Sequence, residues 1–401
     1  MKYIVRPPLT RSVWVIAAIA ATTQTVEASR LDDVLEASAQ AQQFVDLSAV
    51  PAYQYALREE GDTGNYSLDA IANINIVRRN SGAFGSTNLV IWVNSADKIG
   101  GLDSAPELAG QAGLLWDTTD NGSDSTSASL LVLAVDQWFF DNRLSVGLGK
   151  YFPGQFFLQS DYTADNSNTF TNKMISGNPV ASFWESIGLG VAGAWHGDQW
   201  TVQAGVVDAQ ATAEGLDFSS FSKGKYAYML EFSYEPDNPN GTTSLSALAY
   251  LVDEHDDLTT ERGLVGQFTH EFGQQAEYAA FGRYTVKSGG TGNTAAARNS
   301  ALPVEQGGFI GAAWNRPFGR ANQQLAAAAI YGQATSFKQS QGFNNQYGAE
   351  LYWKFQPESW FHITPSVQFL RNRDDRFETV VGLRASFSFI KSWSGAIFSN
   401  Q

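Results

Sequence analysis

The sequence predicts an all-β protein, a transmembrane antiparallel β-barrel of about 16 strands. Three observations carry this. First, runs of about ten residues alternate apolar and polar side chains with period two, longer than a soluble sandwich strand usually sustains. Second, the connectors between runs are long and short in turn. They keep that phase along the chain, as they do when one barrel end meets the periplasm and the other the exterior. Third, the chain opens on an export signal, yet no later segment approaches the roughly 18 consecutive apolar residues of a membrane-spanning helix.

Taken in order, Lys2, Arg6 and Arg11 precede the apolar run Val13–Ala21 and the small-residue site Val26-Glu27-Ala28. That is a secretory signal peptide over residues 1–28, with cleavage after Ala28. Residues 29–49 are rich in Ala, Gln and acid, and read as a periplasmic leader, either a short helix or irregular. The barrel is expected over 50–389, with a tail over 390–401. Pro51–Leu57 begins it. From Tyr66, Leu68, Ala70, Ala72, Ile74 and Ile76 oppose Asp69, Asn73 and Asn75, and Leu89, Ile91 and Val93 follow. The polar stretch Ser95–Ser127 holds Asp117, Asp120, Asn121, Gly122 and Asp124. It lacks EF-hand spacing, so it reads as an acidic surface loop.

Ser129–Phe139 and Arg143–Tyr151 form a hairpin, and a second one turns at His196–Gln199 between Trp195 and Trp200. On Lys225–Tyr234, Tyr226, Tyr228, Leu230, Phe232 and Tyr234 oppose Lys225, Glu231 and Ser233. Leu245–Leu251, Leu264–Phe268, Ala276–Lys287, Phe309–Trp314 and Leu325–Tyr331 continue the series. Gln346–Phe355, Ile363–Phe369 and Val381–Phe389 close it. Long connectors fall at Ala96–Ser127, Phe152–Glu185, Gln210–Gly224, Val252–Gly263, Ser288–Pro303 and Gln333–Asn344. Trp195, Trp200, Tyr226, Tyr234, Trp353, Trp360 and Phe389 stand at strand ends, where aromatics form interface girdles.

The chain has no cysteine, so no disulfide framework holds it. Its net charge of −14 argues against nucleic acid as a partner. Only four histidines occur, and no spacing sets one beside a nucleophile and an acid. An enzyme is therefore not expected, and no cofactor or metal motif is present.

The residues that point to function are inward by phase: Asp69, Lys225, Glu231, Tyr250, Glu277, Arg283, Lys287, Glu350, Tyr352, Lys354 and Arg384. Each one taken singly reads equally as a wetted wall residue. As a set they carry both signs of charge beside aromatic rings. Mixed donors and acceptors can replace a sugar's hydration, and a ring can stack on its C–H face. No strong single-sign field would form, which suits neutral, hydroxyl-rich solutes.

A family resemblance sharpens this. The segment Gln346–Asn372, QYGAELYWKFQPESWFHITPSVQFLRN, and Val380–Phe389, VVGLRASFSF, resemble the closing strands of the carbohydrate-selective porins of the OprB family. The matching pieces are a Glu in a Tyr-rich strand (Glu350), a Thr-Pro-x-x-Gln start (Thr364, Pro365, Gln368) and a Gly-Leu-Arg final strand ending on Phe389. Gly149–Val180 resembles a family loop that folds into the barrel, and Gly205–Ala209 a Gly-Val-x-Asp-Ala element. The resemblance spans, unevenly, Leu144 to Phe389. The chain departs from it in lacking a Gly-Trp-Gly segment near its start and in continuing past Phe389.

The resemblance implies inward-folded loops, with Phe152–Glu185 among them, and facilitated diffusion of monosaccharides across the outer membrane of a Gram-negative bacterium. It also implies Arg and Glu at a constriction, which Arg384 and Glu350 match. The expected partners are small sugars and outer-membrane lipid. The outward small residues of Leu325–Ala329 are compatible with a homo-oligomer contact and equally with lipid. A general or other small-solute porin, or a plugged structural or enzyme barrel, are the alternatives.

Overall fold

The computed structural model describes residues 43–57, 66–82, 85–98, 104–120, 127–163, 167–211 and 215–393. The signal peptide, the leader up to residue 42 and the tail beyond Trp393 lie outside them. Period-two sequence becomes strand after strand: β1 (Gln43–Ala49), β2 (Ala52–Leu57), β3 (Tyr66–Gly82), β4 (Gly85–Lys98), β5 (Ser127–Phe139) and β6 (Leu144–Tyr151). Then come β7 (Gly188–His196), β8 (Trp200–Asp208), β9 (Tyr226–Tyr234), β10 (Thr243–Val252), β11 (Glu261–Phe272) and β12 (Tyr278–Gly289). β13 (Val304–Trp314), β14 (Gln323–Ala334), β15 (Gln346–Glu358), β16 (Phe361–Arg371) and β17 (Phe377–Trp393) complete the chain.

All seventeen lie in one sheet, each antiparallel to its neighbours, and the sheet closes on itself. β1 and β2 share both neighbours, β17 and β3, and hold one register with each across Val50 and Pro51. They form a single stave, so the barrel has sixteen. Pro51 cannot donate to the ladder. Its carbonyl still accepts from Ala385 N–H at 3.0 Å, which keeps the stave in line. Closure matters because hydrocarbon offers no partner to an open strand edge.

The sheet thus starts at Gln43, inside the stretch read as a leader, and β17 runs past Phe389 to Trp393. Val45, Leu47 and Ala49 do alternate with Asp46 and Ser48. The two neighbouring strands override the helical composition there. The connectors keep the expected phase, with tight turns at 140–143, 197–199 and 359–360 at one end and the long segments at the other.

Each wall is apolar outward and packed inward. On β9, Tyr228, Leu230, Phe232 and Tyr234 are exposed, whereas Ala227, Met229 and Glu231 are buried. Among the described residues no helix is long and apolar enough to span a membrane. The core therefore lies in the lumen, where two long connectors fold in. The first carries helix α1 (Ala105–Gln111), capped by Ser104 and Glu107 in a reciprocal box. The second, over 152–187, carries the single turn α2 (Lys173–Ser176). Phe157, Leu158, Phe183 and Trp184 of the second insert pack on β8–β11. Trp116 of the first joins Phe170, Met174 and Ile175 of the second against β12–β16.

Candidate functional site

The site grows from the way these inserts are held. Many of their polar backbone groups are met by side chains of the wall. Glu231 accepts from Leu158 N–H at 2.8 Å. Glu350 accepts from Thr171 N–H, the Thr171 hydroxyl and Asn172 N–H, each at 2.9 Å. Arg283 donates to the carbonyls of Ile175, at 2.9 Å, and of Met174 and Gly177, and its guanidinium lies over the rings of Trp184 and Phe309. Arg384 donates to Thr169 O at 2.6 Å. A buried strand-to-strand pair, Lys287 and Glu261 at 3.2 Å, sits beneath Ser182, whose N–H and hydroxyl both donate to Glu261. Tyr250 donates to that same carboxylate at 3.1 Å. Tyr352 packs edge-on against Phe170 and donates to Gln324.

Seven of the eleven residues read from phase, Glu231, Tyr250, Arg283, Lys287, Glu350, Tyr352 and Arg384, are therefore lumen-facing and buried under the inserts. Six of them bond insert backbone or the groups that hold it, whereas Tyr352 bonds Gln324 and meets the insert through the Phe170 ring. The other four stand elsewhere. Lys225 pairs with Glu254 at 3.2 Å at the mouth, beyond the strand. Glu277 precedes β12 at the turn end, next to the exposed Tyr278. Lys354 is half-buried toward the same end of β15. Asp69 is on β3 opposite Ala52 and Lys98, and its side chain is outside the described residues.

The inserts also clasp each other. Trp116 Nε1 donates to Asn172 Oδ1 at 2.9 Å, and Asp120 N–H to Thr171 O at 3.1 Å. Gln54 and Gln368 bind Thr118 from β2 and β16. The stretch with Asp117 and Asp120 is thus inside the barrel, where the sequence reading expected an acidic surface loop. Its Thr118 is matched by wall glutamines and its acids face Lys173, partnerships that a single sequence does not display.

Where the two inserts join, a cluster of charges of both signs keeps access to solvent. Lys173 Nζ lies 2.9 Å from Glu185 and 3.5 Å from Asp117, with side-chain exposures of 22%, 50% and 24%. Burial pulls the Lys173 ammonium down, but Glu185, Asp120 and Asp117 more than offset it and hold it above the ordinary lysine range. Asp120 stands against Gly177, and its carboxyl is pushed up to about 7 by burial, with Lys173 opposing. From Trp184, the chain neighbour of Glu185, edge-to-face ring contacts lead to the half-buried Phe152 and, at 6.1 Å, on to the half-buried Trp92. Lys173, Glu185 and Glu261 were not singled out in the sequence. The first two lie in a segment read only as a loop. Glu261 precedes the strand start drawn at Leu264, although it shares the inward phase of Val265 and Gln267.

Sixteen staves enclose an aqueous lumen, and here folded-in connectors of both signs of charge narrow it. That architecture is a porin, a channel and not an enzyme. The chain belongs to the carbohydrate-selective porin, OprB family, whose profile matches residues 95–313. The match ends before the closing strands that carry most of the motif resemblance. Two solved structures of Pseudomonas putida OprB share the fold at 12% sequence identity. The high-pH form has a TM-score of 0.74 over 92% of this chain and 100% of that one. The low-pH form has 0.57 over 91% and 100%. No curated protein sequence matches the chain. OprB and the porins of this fold are outer-membrane proteins of Gram-negative bacteria.

Proposed function

We propose that the chain conducts neutral sugars of monosaccharide size down their gradient, and that they pass the half-exposed group Lys173, Glu185 and Asp117 alongside Trp92 and Phe152. The observation that carries this is the Lys173 ammonium held between two partly exposed carboxylates on a pinned insert. Such a group offers hydroxyls both donors and acceptors while the lysine offsets one of its two negative charges. A nearby aromatic face suits a sugar's C–H face. The buried wall set acts at one remove, by fixing the inserts that present this group. Asp69 keeps a wall role by its phase. Weak, repeated binding lets a solute enter and leave without an energy source. Export follows from the signal peptide over residues 1–28.

Single-channel conductance in a planar bilayer tests the reading, with glucose titrated first and a charged solute of similar size second. Saturable block by glucose and little by the charged solute is expected. Ohmic current indifferent to glucose would leave a general porin, and no current would favour a plugged structural barrel.

A further inference from the structure

The connector between β8 and β9 carries a feature that conduction does not use. Its short helix α3 (Phe218–Phe221) is capped by Asp217, which accepts from Ser219 and Ser220 N–H. One side of the segment is tied to the barrel rim. Ser220 Oγ donates to the buried Asp208 at the end of β8 at 2.5 Å, and Lys150 Nζ donates to Gly215 O. The other side presents Leu216, Phe218 and Phe221, exposed by 42%, 66% and 40%. Among the described residues these are the only large apolar side chains exposed outside a strand at the long-connector end.

Their position says what covers them. The Phe221 ring meets Tyr226 at 5.4 Å, and Tyr226 meets Tyr228 at 6.3 Å. Both tyrosines belong to the outward row of β9, which continues down the lipid-facing wall through Leu230 and Phe232. The apolar surface of the barrel thus climbs past the strand end onto the connector without interruption. Directly beneath, the outer wall is hollow. Small Gly193 and Ala204 floor a groove of about 310 Å³ between Val146, Val191, Val206 and Tyr228.

We propose that residues 215–222 are a membrane tab, set into the outer leaflet with acyl chains as the occupant of both the tab's apolar face and the groove below it. Phenylalanines at this level would be costly in water and are favourable at the boundary of the hydrocarbon. Anchored on its polar side and apolar on the other, the segment has the two-sided character of an interfacial element. The tab fixes the height and tilt of this side of the barrel, whatever solute the pore conducts.

The chain has no native cysteine, which allows a clean labelling test. A nitroxide at Phe218→Cys, in the full chain reconstituted into phosphatidylcholine vesicles, is read for collision with oxygen and with a water-soluble nickel chelate. Leu230→Cys on the outer wall gives the hydrocarbon reference and Asn293→Cys, in the 290–303 connector, the aqueous one. A severalfold excess of oxygen over nickel collisions at 218, approaching the Leu230 value, is expected. A ratio matching Asn293 would overturn the tab, and exclusion from both reagents would replace lipid with a second copy of the chain. Phe221→Cys provides the same readout from the neighbouring ring should the first label perturb the helix.

Discussion

One carboxylate oxygen of Glu350 on β15 accepts both the backbone N–H and the hydroxyl of Thr171 on the second insert, each at 2.9 Å. A wall charge is thereby committed to an insert's backbone. Glu350→Ala removes the acceptor for these groups and for Asn172 N–H. Each buried donor left unmet costs about 1–3 kcal/mol. The insert should loosen, with larger and noisier single-channel conductance than the parent. Glu350→Gln keeps one acceptor oxygen and should show a smaller change. A parent-like trace for Glu350→Ala would count against the tether.

The exposed group makes a separate prediction. Lys173→Gln leaves Glu185 and Asp117 without their shared cation. The reversal potential in a potassium chloride gradient should move toward stronger cation preference, and glucose block should weaken severalfold. If neither moves, the solute path does not pass Lys173.

Asp120 sets a pH dependence. Its carboxyl is raised from 3.8 to about 7, chiefly by burial. Between those values the folded chain holds a proton that the unfolded chain has released, so stability falls as pH rises from 3.8 to about 7 and levels off above. Above 7 the insert also gains one negative charge. Thermal unfolding in detergent should show the falling midpoint, and cation preference, a property of the folded channel, should rise around pH 7. Asp120→Asn should flatten both curves relative to the parent. Parallel curves would assign the titration to another group.

The buried pair Lys287–Glu261 predicts non-additivity. Both side chains are 2% exposed. Lys287→Met alone strands the Glu261 charge and should destabilise by about 3–5 kcal/mol. Adding Glu261→Gln removes the stranded charge while keeping an acceptor for Ser182. The double variant should recover much of the loss in a denaturant titration. Simple addition of the two single effects would deny the coupling.

Much of this barrel was legible because lipid on one side and packing on the other impose period two on every stave. The phase of Glu231, Arg283, Glu350 and Arg384 followed from it directly. What those residues touch did not. Their partners are backbone N–H and C=O groups of Leu158, Thr169, Thr171 and Ile175, which leave no side-chain signature in a sequence. Asp117 and Asp120 misled for a related reason, since acids that face Lys173 inside the barrel look in a sequence like a solvated loop. β1 was obscured by its composition, and only its two strand partners made it a stave.

The split stave has a consequence for assembly. Gln43 pairs with Trp393 and Leu57 with Thr379, so the first stave and the last are each other's neighbours. Strand pairs joined by the short turns can zip locally along the chain. The seam cannot, since it joins the most distant residues, and non-local pairings form late. Until β17 arrives, the growing sheet has two unpaired borders, each a template for the wrong strand. Folding of this porin is therefore gated by the meeting of its ends, and an edge-capping helper would act there.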